Sequence, residues 1–165
     1  MRSQQVSDEF DPLLFIGRLN ELGIPYLLIG SVAAAMHDIP IGSADYDFWV
    51  TPASRQSIYD LADSFGLAGS YRPDDVQPQD SFTDGGIAKI DFFFVSEFVN
   101  QKKGIRLSFD DVHKRSLLKR DSDGSFAVRV HSLDDLIAMK DMLMELRPDQ
   151  IRQLEYLLIR KETSD

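Results

Sequence analysis

Three aspartates stand where their carboxylates could converge on one cation. Asp45 and Asp47 are separated by one residue in an alternating run, residues 44–50, and Asp91 lies inside a strongly apolar run, residues 87–95. Side chains two apart in a strand share a face, so the first pair would point the same way. Carboxylates suit Mg²⁺ or Mn²⁺, and two such ions about 3.5–4 Å apart can clamp the oxygens of a phosphoryl transfer. These residues predict a metal site.

A Gly-Ser pair supplies the complementary feature. Gly30 and Ser31 follow the apolar run 25–29 and precede an alanine-rich segment, residues 32–37. Backbone N–H groups at a helix start bind anions, and a glycine leaves room for a phosphate to approach. A plain helix entry capped by Ser31 explains the same pair equally well. The position of the pair ahead of the aspartates favours a phosphate cradle.

Each of these features also has a purely structural interpretation. Two aspartates on a strand can simply form the solvated edge of a sheet, but Asp91 lies among isoleucines and phenylalanines, where an unpaired carboxylate is costly. Lys140 on an amphipathic helix can be a solvent-facing lysine. Trp49 and Phe93 lie on the acid face and could stack on a base only if exposed, and otherwise they belong to the core.

The elements that must position these residues alternate between strand and helix. A helix begins at Pro12 with Asp11 as its cap and ends at Gly23. Later segments are predicted as strands over 25–29, 44–50, 87–95 and 126–130, helices over 32–37, 51–65, 96–101 and 132–146, and a last helix from 148, with 109–118 ambiguous. The polar segment 70–86 is predicted to be a poorly packed loop that borders the site. This order predicts an α/β (α+β) fold with helices packed on a mixed sheet.

Composition limits the cellular setting and the partners. The 165 residues, 43% of them apolar, suit a single domain over 1–165, with a core at about 10–95 and a helical C-terminal part at about 96–165. Without cysteine the site must use oxygen and nitrogen ligands. A polar, acidic start and the lack of a long apolar run predict a cytoplasmic protein with no membrane partner. The net charge of −9 disfavours long nucleic acids.

The string over residues 27–50 resembles the signature of the DNA-polymerase-beta-like nucleotidyltransferase superfamily. It has Gly-Ser after an apolar strand, thirteen intervening residues and then Asp45-Tyr46-Asp47 among apolar residues. Within that superfamily it looks most like the compact bacterial branch, which includes minimal nucleotidyltransferases and the transferase toxins of abortive-infection systems. Asp91 stands where the third carboxylate of the family belongs. The resemblance implies a nucleotidyltransferase-type mixed sheet followed by C-terminal helices.

The resemblance also implies roles for individual residues. Asp45 and Asp47 would hold both metal ions, and Asp91 would hold one while helping to deprotonate the attacking hydroxyl. The implied nucleotide-binding residues are Gly30, Ser31, Ser43 and Lys140. Several positions depart from the family pattern. Ile41 stands where a basic residue is common, and Ser43 replaces a more usual threonine. In the last helix, Asp149 and Gln150 stand where a lysine and an aspartate are expected. Losing an arginine removes a phosphate partner, which affects triphosphate affinity and turnover.

Three functions fit this sequence. The first is an Mg²⁺- or Mn²⁺-dependent enzyme that moves a nucleoside monophosphate from a nucleoside triphosphate to a hydroxyl on a protein, a small molecule or an RNA end. The second is a catalytically weak or inactive module of the same fold, such as one member of a toxin and antitoxin pair. The third is an interaction domain whose acidic face binds a basic partner without nucleotide.

Overall fold

The computed structural model describes residues 10–36, 46–85, 89–120, 124, 126–143, 159 and 161–162. Its helices are α1 (Pro12–Leu22), α2 (Gly30–Met36), α3 (Arg55–Ser64), α4 (Phe109–Arg115) and α5 (Leu133–Leu143). Its strands are β1 (Leu27–Ile29), β2 (Tyr46–Val50), β3 (Ala68–Gly69), β4 (Gln79–Thr83), β5 (Lys89–Phe94), β6 (Glu97–Asn100), β7 (Ile105–Ser108), β8 (Leu117–Arg120) and β9 (Ala127–Val130). A short 3₁₀ turn, Pro52–Ser54, leads into α3.

Seven strands form one mixed sheet in the order β3-β4-β5-β2-β1-β9-β8. The β2–β5 and β1–β9 pairs are parallel, and the others are antiparallel. Strands β6 and β7 form a separate antiparallel hairpin. The mixed sheet with packed helices confirms the predicted α/β (α+β) fold class.

One face of the sheet carries the larger apolar core. Helices α1 and α3 contribute Phe15 and Ile58, which pack against Phe48 of β2 and Phe92 of β5. The Phe48 and Phe92 rings stack with centroids 5.0 Å apart. Successive side chains of a strand point to opposite faces. Every second side chain of the central strands therefore packs in this core, and the others point to the opposite face.

The opposite face has a second, smaller core around Trp49. The β6–β7 hairpin, α4 and α5 pack here through residues that include Leu107, Phe109 and Met139. The Trp49 indole N–H donates to the Val95 carbonyl at 2.8 Å, and its ring lies edge-on to Phe98, with centroids 4.7 Å apart. Trp49 is fully buried. It is therefore a core residue and has no surface to offer a base.

The start and end signals predicted for α1 are confirmed. The Asp11 carboxylate accepts from the Leu13 N–H at 2.9 Å, and Pro12 occupies the first turn. Gly23 ends the helix with a φ of 65°, a conformation that favours glycine. The strands predicted over 25–29, 44–50, 87–95 and 126–130 are found, within the described residues, as β1, β2, β5 and β9.

The predicted loop over 70–86 is wrong in its second half, which contains β4. Strand β4 pairs with both β3 and β5 inside the sheet. Asp80 and Phe82 point to the larger core and are 2% and 1% exposed, whereas Gln79, Ser81 and Thr83 alternate to the other face. The alternation in residues 79–83 is short and polar, and the aspartates and prolines before it are typical of a loop.

The first half of that segment is also well anchored. Arg55, which is buried, donates to the carbonyl oxygens of Pro73 (3.0 Å), Asp75 and Gln77 (2.7 Å). Its guanidinium carbon lies 4.9 Å from the centroid of the Phe94 ring. A charged group with several partners fixes a backbone that has little apolar area of its own. The side chains of residues 70–76 are exposed, as the prediction of a poorly packed segment expects, but hydrogen bonds hold the backbone in place.

Asp80 anchors the same segment from the sheet side. Its carboxylate accepts from the Tyr59 hydroxyl and from the N–H groups of Ser70 (2.8 Å), Tyr71 (3.2 Å) and Ser81 (2.8 Å). Burial raises the pKa of Tyr59, and the hydrogen bond to Asp80 raises this pKa further, so the hydroxyl stays a donor at neutral pH. The buried carboxylate thus has several donors.

Between residues 97 and 120 the described chain contains more strand than predicted. Residues 97–100 form β6 instead of a helix, and the ambiguous 109–118 segment divides into α4 and β8. The hairpin is stabilised by tertiary packing on the Trp49 core, which local sequence patterns do not report. Most of the helix predicted from 148 lies outside the described residues. No helix in the described ranges is long and apolar enough to cross a membrane.

Asp80→Asn should lower the free energy of unfolding by about 2 kcal/mol or more, because an amide presents one acceptor oxygen where the carboxylate presents two to buried donors. Urea denaturation followed by Trp49 fluorescence measures this loss. The control is Asp74→Asn in the same segment, whose exposed side chain predicts a change within about 0.5 kcal/mol. Equal stability of the two variants would contradict the anchoring role of Asp80.

Candidate active site

Asp47 and Asp91 occupy directly neighbouring positions in the sheet. Parallel strands β2 and β5 pair with Asp47 opposite Asp91, so both side chains leave the sheet on the same face. Neighbouring strands lie about 4.8 Å apart, which places the two carboxylates within reach of one ion. The structure therefore brings together two of the three predicted acids, as the strand patterns required.

Gly30 lies against the Asp47 carboxylate. It follows β1, in which Ile29 pairs with Asp47, and it opens α2 with a φ of 72°. A Cβ on Gly30 would collide with Oδ2 of Asp47 and lie only 3.2 Å from its Cγ. Glycine is needed here for two reasons, the left-handed backbone and the close carboxylate. The Gly-Ser turn and the acid pair thus share one place in the fold.

Asp91 is 7% exposed and has two polar partners among the residues that the structure describes. The Ser81 hydroxyl, on β4, donates to its Oδ1, and the Lys89 ammonium lies 3.4 Å from its Oδ2. Ser81 is the residue of β4 that pairs with Asp91. A buried carboxylate needs such partners, because its charge is poorly solvated. Each oxygen of Asp91 therefore has its own polar neighbour.

The described part of this site can supply hard oxygen ligands. Asp47 and Asp91 are carboxylates at one point, and Gly30 keeps the space beside Asp47 free of a side chain. These donors suit Mg²⁺ or Mn²⁺. Within the described residues no group of three acidic or histidine side chains forms a metal cluster. Asp45, the third predicted ligand, lies outside them, as do Ser43 and Ile41.

Lys140 lies on α5, which packs against α2 through Leu136 and Ala34. The lysine is only 9% exposed, so the solvent-facing interpretation is wrong. The helix that carries Lys140 is thus adjacent to the helix that begins at Gly30. The Ser31 backbone belongs to α2, and its side chain lies outside the described part of the structure.

Sequence reasoning missed two residues of the site, Ser81 and Lys89. Ser81 was assigned to a loop, and only the alternation of β4 would have revealed that it faces Asp91. Lys89 has no role among the sequence predictions. Its ion pair with Asp91 follows from their spacing, because residues two apart on β5 point to the same side.

Neither a family model nor a curated protein matches the sequence. Solved structures do match. The lincomycin-bound lincosamide antibiotic adenylyltransferase LnuA aligns with a TM-score of 0.63 at 10% identity, over 90% of this chain and 96% of LnuA. The antibiotic-resistance factor ANT(2'')-Ia aligns with a TM-score of 0.59 at 11% identity, over 91% of this chain and 82% of that one.

A third structure comes from Thermotoga maritima and is described as a candidate nucleotidyltransferase. It aligns with a TM-score of 0.60 at 15% identity, over 92% of this chain and 89% of its own. The chain has a nucleotidyltransferase fold. At these identities the likeness concerns the nucleotidyltransferase fold alone, and the acid pair beside Gly30 is the local feature that bears on chemistry.

Gly30→Ala should destabilise the protein, because alanine at a left-handed position costs about 1–2 kcal/mol and its Cβ would displace Asp47. Any stabilisation by Mg²⁺ and nucleoside triphosphate should fall with it. Thermal melting with and without these ligands measures both effects.

The matched control is Gly17→Ala in the middle of α1. A Cβ there has no neighbour within 4 Å, and the helix gains about 0.5–1 kcal/mol when glycine is replaced by alanine. Gly17→Ala should therefore melt above the wild type. A Gly30→Ala protein that melts and responds to ligand like the wild type would disprove the close approach of Gly30 to Asp47.

Proposed function

We propose that the protein is a metal-dependent nucleotidyltransferase that moves a nucleoside monophosphate from a nucleoside triphosphate to a hydroxyl acceptor and releases pyrophosphate. The observation that carries the proposal is the in-register pair Asp47 and Asp91 beside the Gly30 turn. An acidic pair next to an amide-lined helix start suits a substrate whose phosphates need both cations and N–H donors.

The proposed reaction is a displacement at the α-phosphorus. The acceptor oxygen forms a bond to this phosphorus, and the bond from the phosphorus to the oxygen that bridges to the β-phosphate breaks. Pyrophosphate leaves with that electron pair. Asp91 is the group proposed to take the acceptor's proton, because its buried carboxylate lies on the face that holds Asp47.

Mg²⁺ or Mn²⁺ is the proposed cofactor, and Asp45, Asp47 and Asp91 are the residues that would hold it. Such a cation supplies charge stabilisation to phosphate oxygens as the leaving group departs. The backbone N–H groups at Gly30 and Ser31 are proposed to bind phosphate oxygens, and Ser43 and Lys140 to complete the nucleotide site. Positions 43 and 45 remain predictions from the sequence.

The proposed acceptor is a small molecule that bears a hydroxyl group. LnuA is an adenylyltransferase for lincosamide antibiotics, and ANT(2'')-Ia has been solved with adenylyl-2''-tobramycin. These neighbours act on small molecules, and the net charge of −9 disfavours a long nucleic acid here. A protein acceptor or an RNA end is an alternative that the activity assay distinguishes.

A weak or inactive module of the same fold is the second hypothesis. Ile41 at a position where the family commonly has a basic residue favours it. Its toxin or antitoxin partner stays a prediction from the resemblance. The two hypotheses differ in turnover, because an inactive module can bind nucleotide and metal but labels no acceptor.

Asp47→Asn and Asp91→Asn should each abolish transfer and remove the stabilisation by triphosphate that depends on Mg²⁺ or Mn²⁺. A ligand that binds only the folded state raises its stability, so melting curves with triphosphate, in chelator and in excess metal, measure the binding. Incubation with α-labelled triphosphates, small-molecule hydroxyl compounds and cell extract measures transfer. Asp74→Asn, with an exposed side chain, is the control for the change in charge.

The outcomes separate the hypotheses. Metal-dependent stabilisation with a labelled acceptor supports the enzyme, and stabilisation without any label supports the inactive module. If wild type and both variants respond alike to metal and triphosphate, the acid pair does not form the proposed site.

A further inference from the structure

Strand β4, one of the two neighbours of β5, places the Ser81 hydroxyl against Asp91. We infer that Ser81 is a positioning residue, which fixes Oδ1 of Asp91 so that Oδ2 is the oxygen left for a cation. This inference rests on the proposed metal-dependent function. Its direct evidence is the hydrogen bond from the Ser81 hydroxyl to Oδ1.

The Ser81 side chain stands on a rigid support. Strand β4 is paired on both sides, by β3 and by β5, and Ser81 lies directly opposite Asp91. Its own N–H donates to the buried carboxylate of Asp80 at 2.8 Å. The Phe82 side chain, next in the strand, is fixed in the larger core. The backbone that carries the serine hydroxyl is therefore held in place opposite Asp91.

A fixed donor matters because of how an aspartate rotates. The terminal torsion of aspartate is broad, so an unrestrained carboxylate samples many orientations about its Cβ–Cγ bond. A hydrogen bond to one oxygen selects one orientation. Groups that orient a metal ligand in this way affect metal affinity about 10–100-fold in characterised metal sites.

The second oxygen of Asp91 is held in a different way. Lys89 reaches Oδ2 at 3.4 Å, and its side chain is 46% exposed, so solvent screens the ion pair and the lysine can move away easily. A divalent cation brings more charge to this oxygen than the ammonium does. The two partners thus differ in kind, since the backbone of Ser81 is held by the pairing of β4 with β5, whereas the Lys89 side chain is half exposed and exchangeable.

Three variants test Ser81. Ser81→Ala removes the hydroxyl, and Ser81→Thr retains it on a β-branched side chain that suits a strand. Thr83→Ala is the control, because Thr83 lies on the same strand and face but pairs with Lys89 instead of Asp91. Mn²⁺ binding is measured by the electron paramagnetic resonance signal of the free ion, with and without α,β-methylene-ATP, and melting in chelator reports the fold.

We expect Ser81→Ala to bind Mn²⁺ about tenfold or more weakly than wild type while melting within a few degrees of it. Ser81→Thr should recover most of the affinity, and Thr83→Ala should bind like wild type. A hydrogen bond that only joined the two strands would lower the melting temperature and leave Mn²⁺ affinity unchanged.

Three results would overturn the inference. They are an unchanged Mn²⁺ affinity in Ser81→Ala, an equal loss in Thr83→Ala, and no recovery in Ser81→Thr. Failure of the proposed function itself has a different signature. If wild type binds no Mn²⁺ with or without the nucleotide analogue, both proposals fail. If Asp91→Asn abolishes Mn²⁺ binding and Ser81→Ala retains it, only the inference about Ser81 fails.

Discussion

The parallel pairing of β2 with β5 is the constraint on which the candidate site depends. It sets Asp47 opposite Asp91, and it simultaneously sets Phe48 opposite Phe92 on the other face. The stacked phenylalanine rings belong to the larger core, so a shift of one residue would turn Asp91 into that apolar core and Phe92 to the opposite face. The free energy of packing the core thus also maintains the alignment of the acids. A site built this way needs no interaction between the carboxylates themselves.

The connection between these parallel strands explains two buried charged residues. Parallel neighbours require a crossover, and here it runs through α3, β3 and β4. Its polar segment before β4 buries little apolar area, and Arg55 and Asp80 hold it by hydrogen bonds to backbone groups. Removing either charged group would take several hydrogen bonds away from this backbone at once. Because β4 also carries Ser81, this anchoring extends to the residue in contact with Asp91.

Sequence patterns predicted the central part of the fold and most of the acid site. The apolar runs of β1, β2 and β5 are typical of buried strands, so these strands can be predicted from local sequence alone. Asp91 stands out because its neighbours are isoleucine and phenylalanine. Strand β4 was missed because its signal, Asp80 to Thr83, is short and polar, and its burial comes from partners distant in sequence. The β6–β7 hairpin was missed for the same reason. Ser81 could not be assigned to the site until β4 was in place.

The acid pair and the Trp49 core lie on the same face of the sheet. On both β2 and β5 the change from the acid site to the apolar core takes place between one side chain on that face and the next. On β2 the change is from Asp47 to Trp49, and on β5 from Asp91 to Phe93. Phe98 of the hairpin contacts both aromatic rings. Asp91 is already largely buried, and extending the apolar cover over Asp47 would desolvate a second carboxylate at a cost of several kcal/mol. The acids thus lie beside the apolar Trp49 core, where water is excluded. The lower effective dielectric there strengthens the attraction of the carboxylates for a cation.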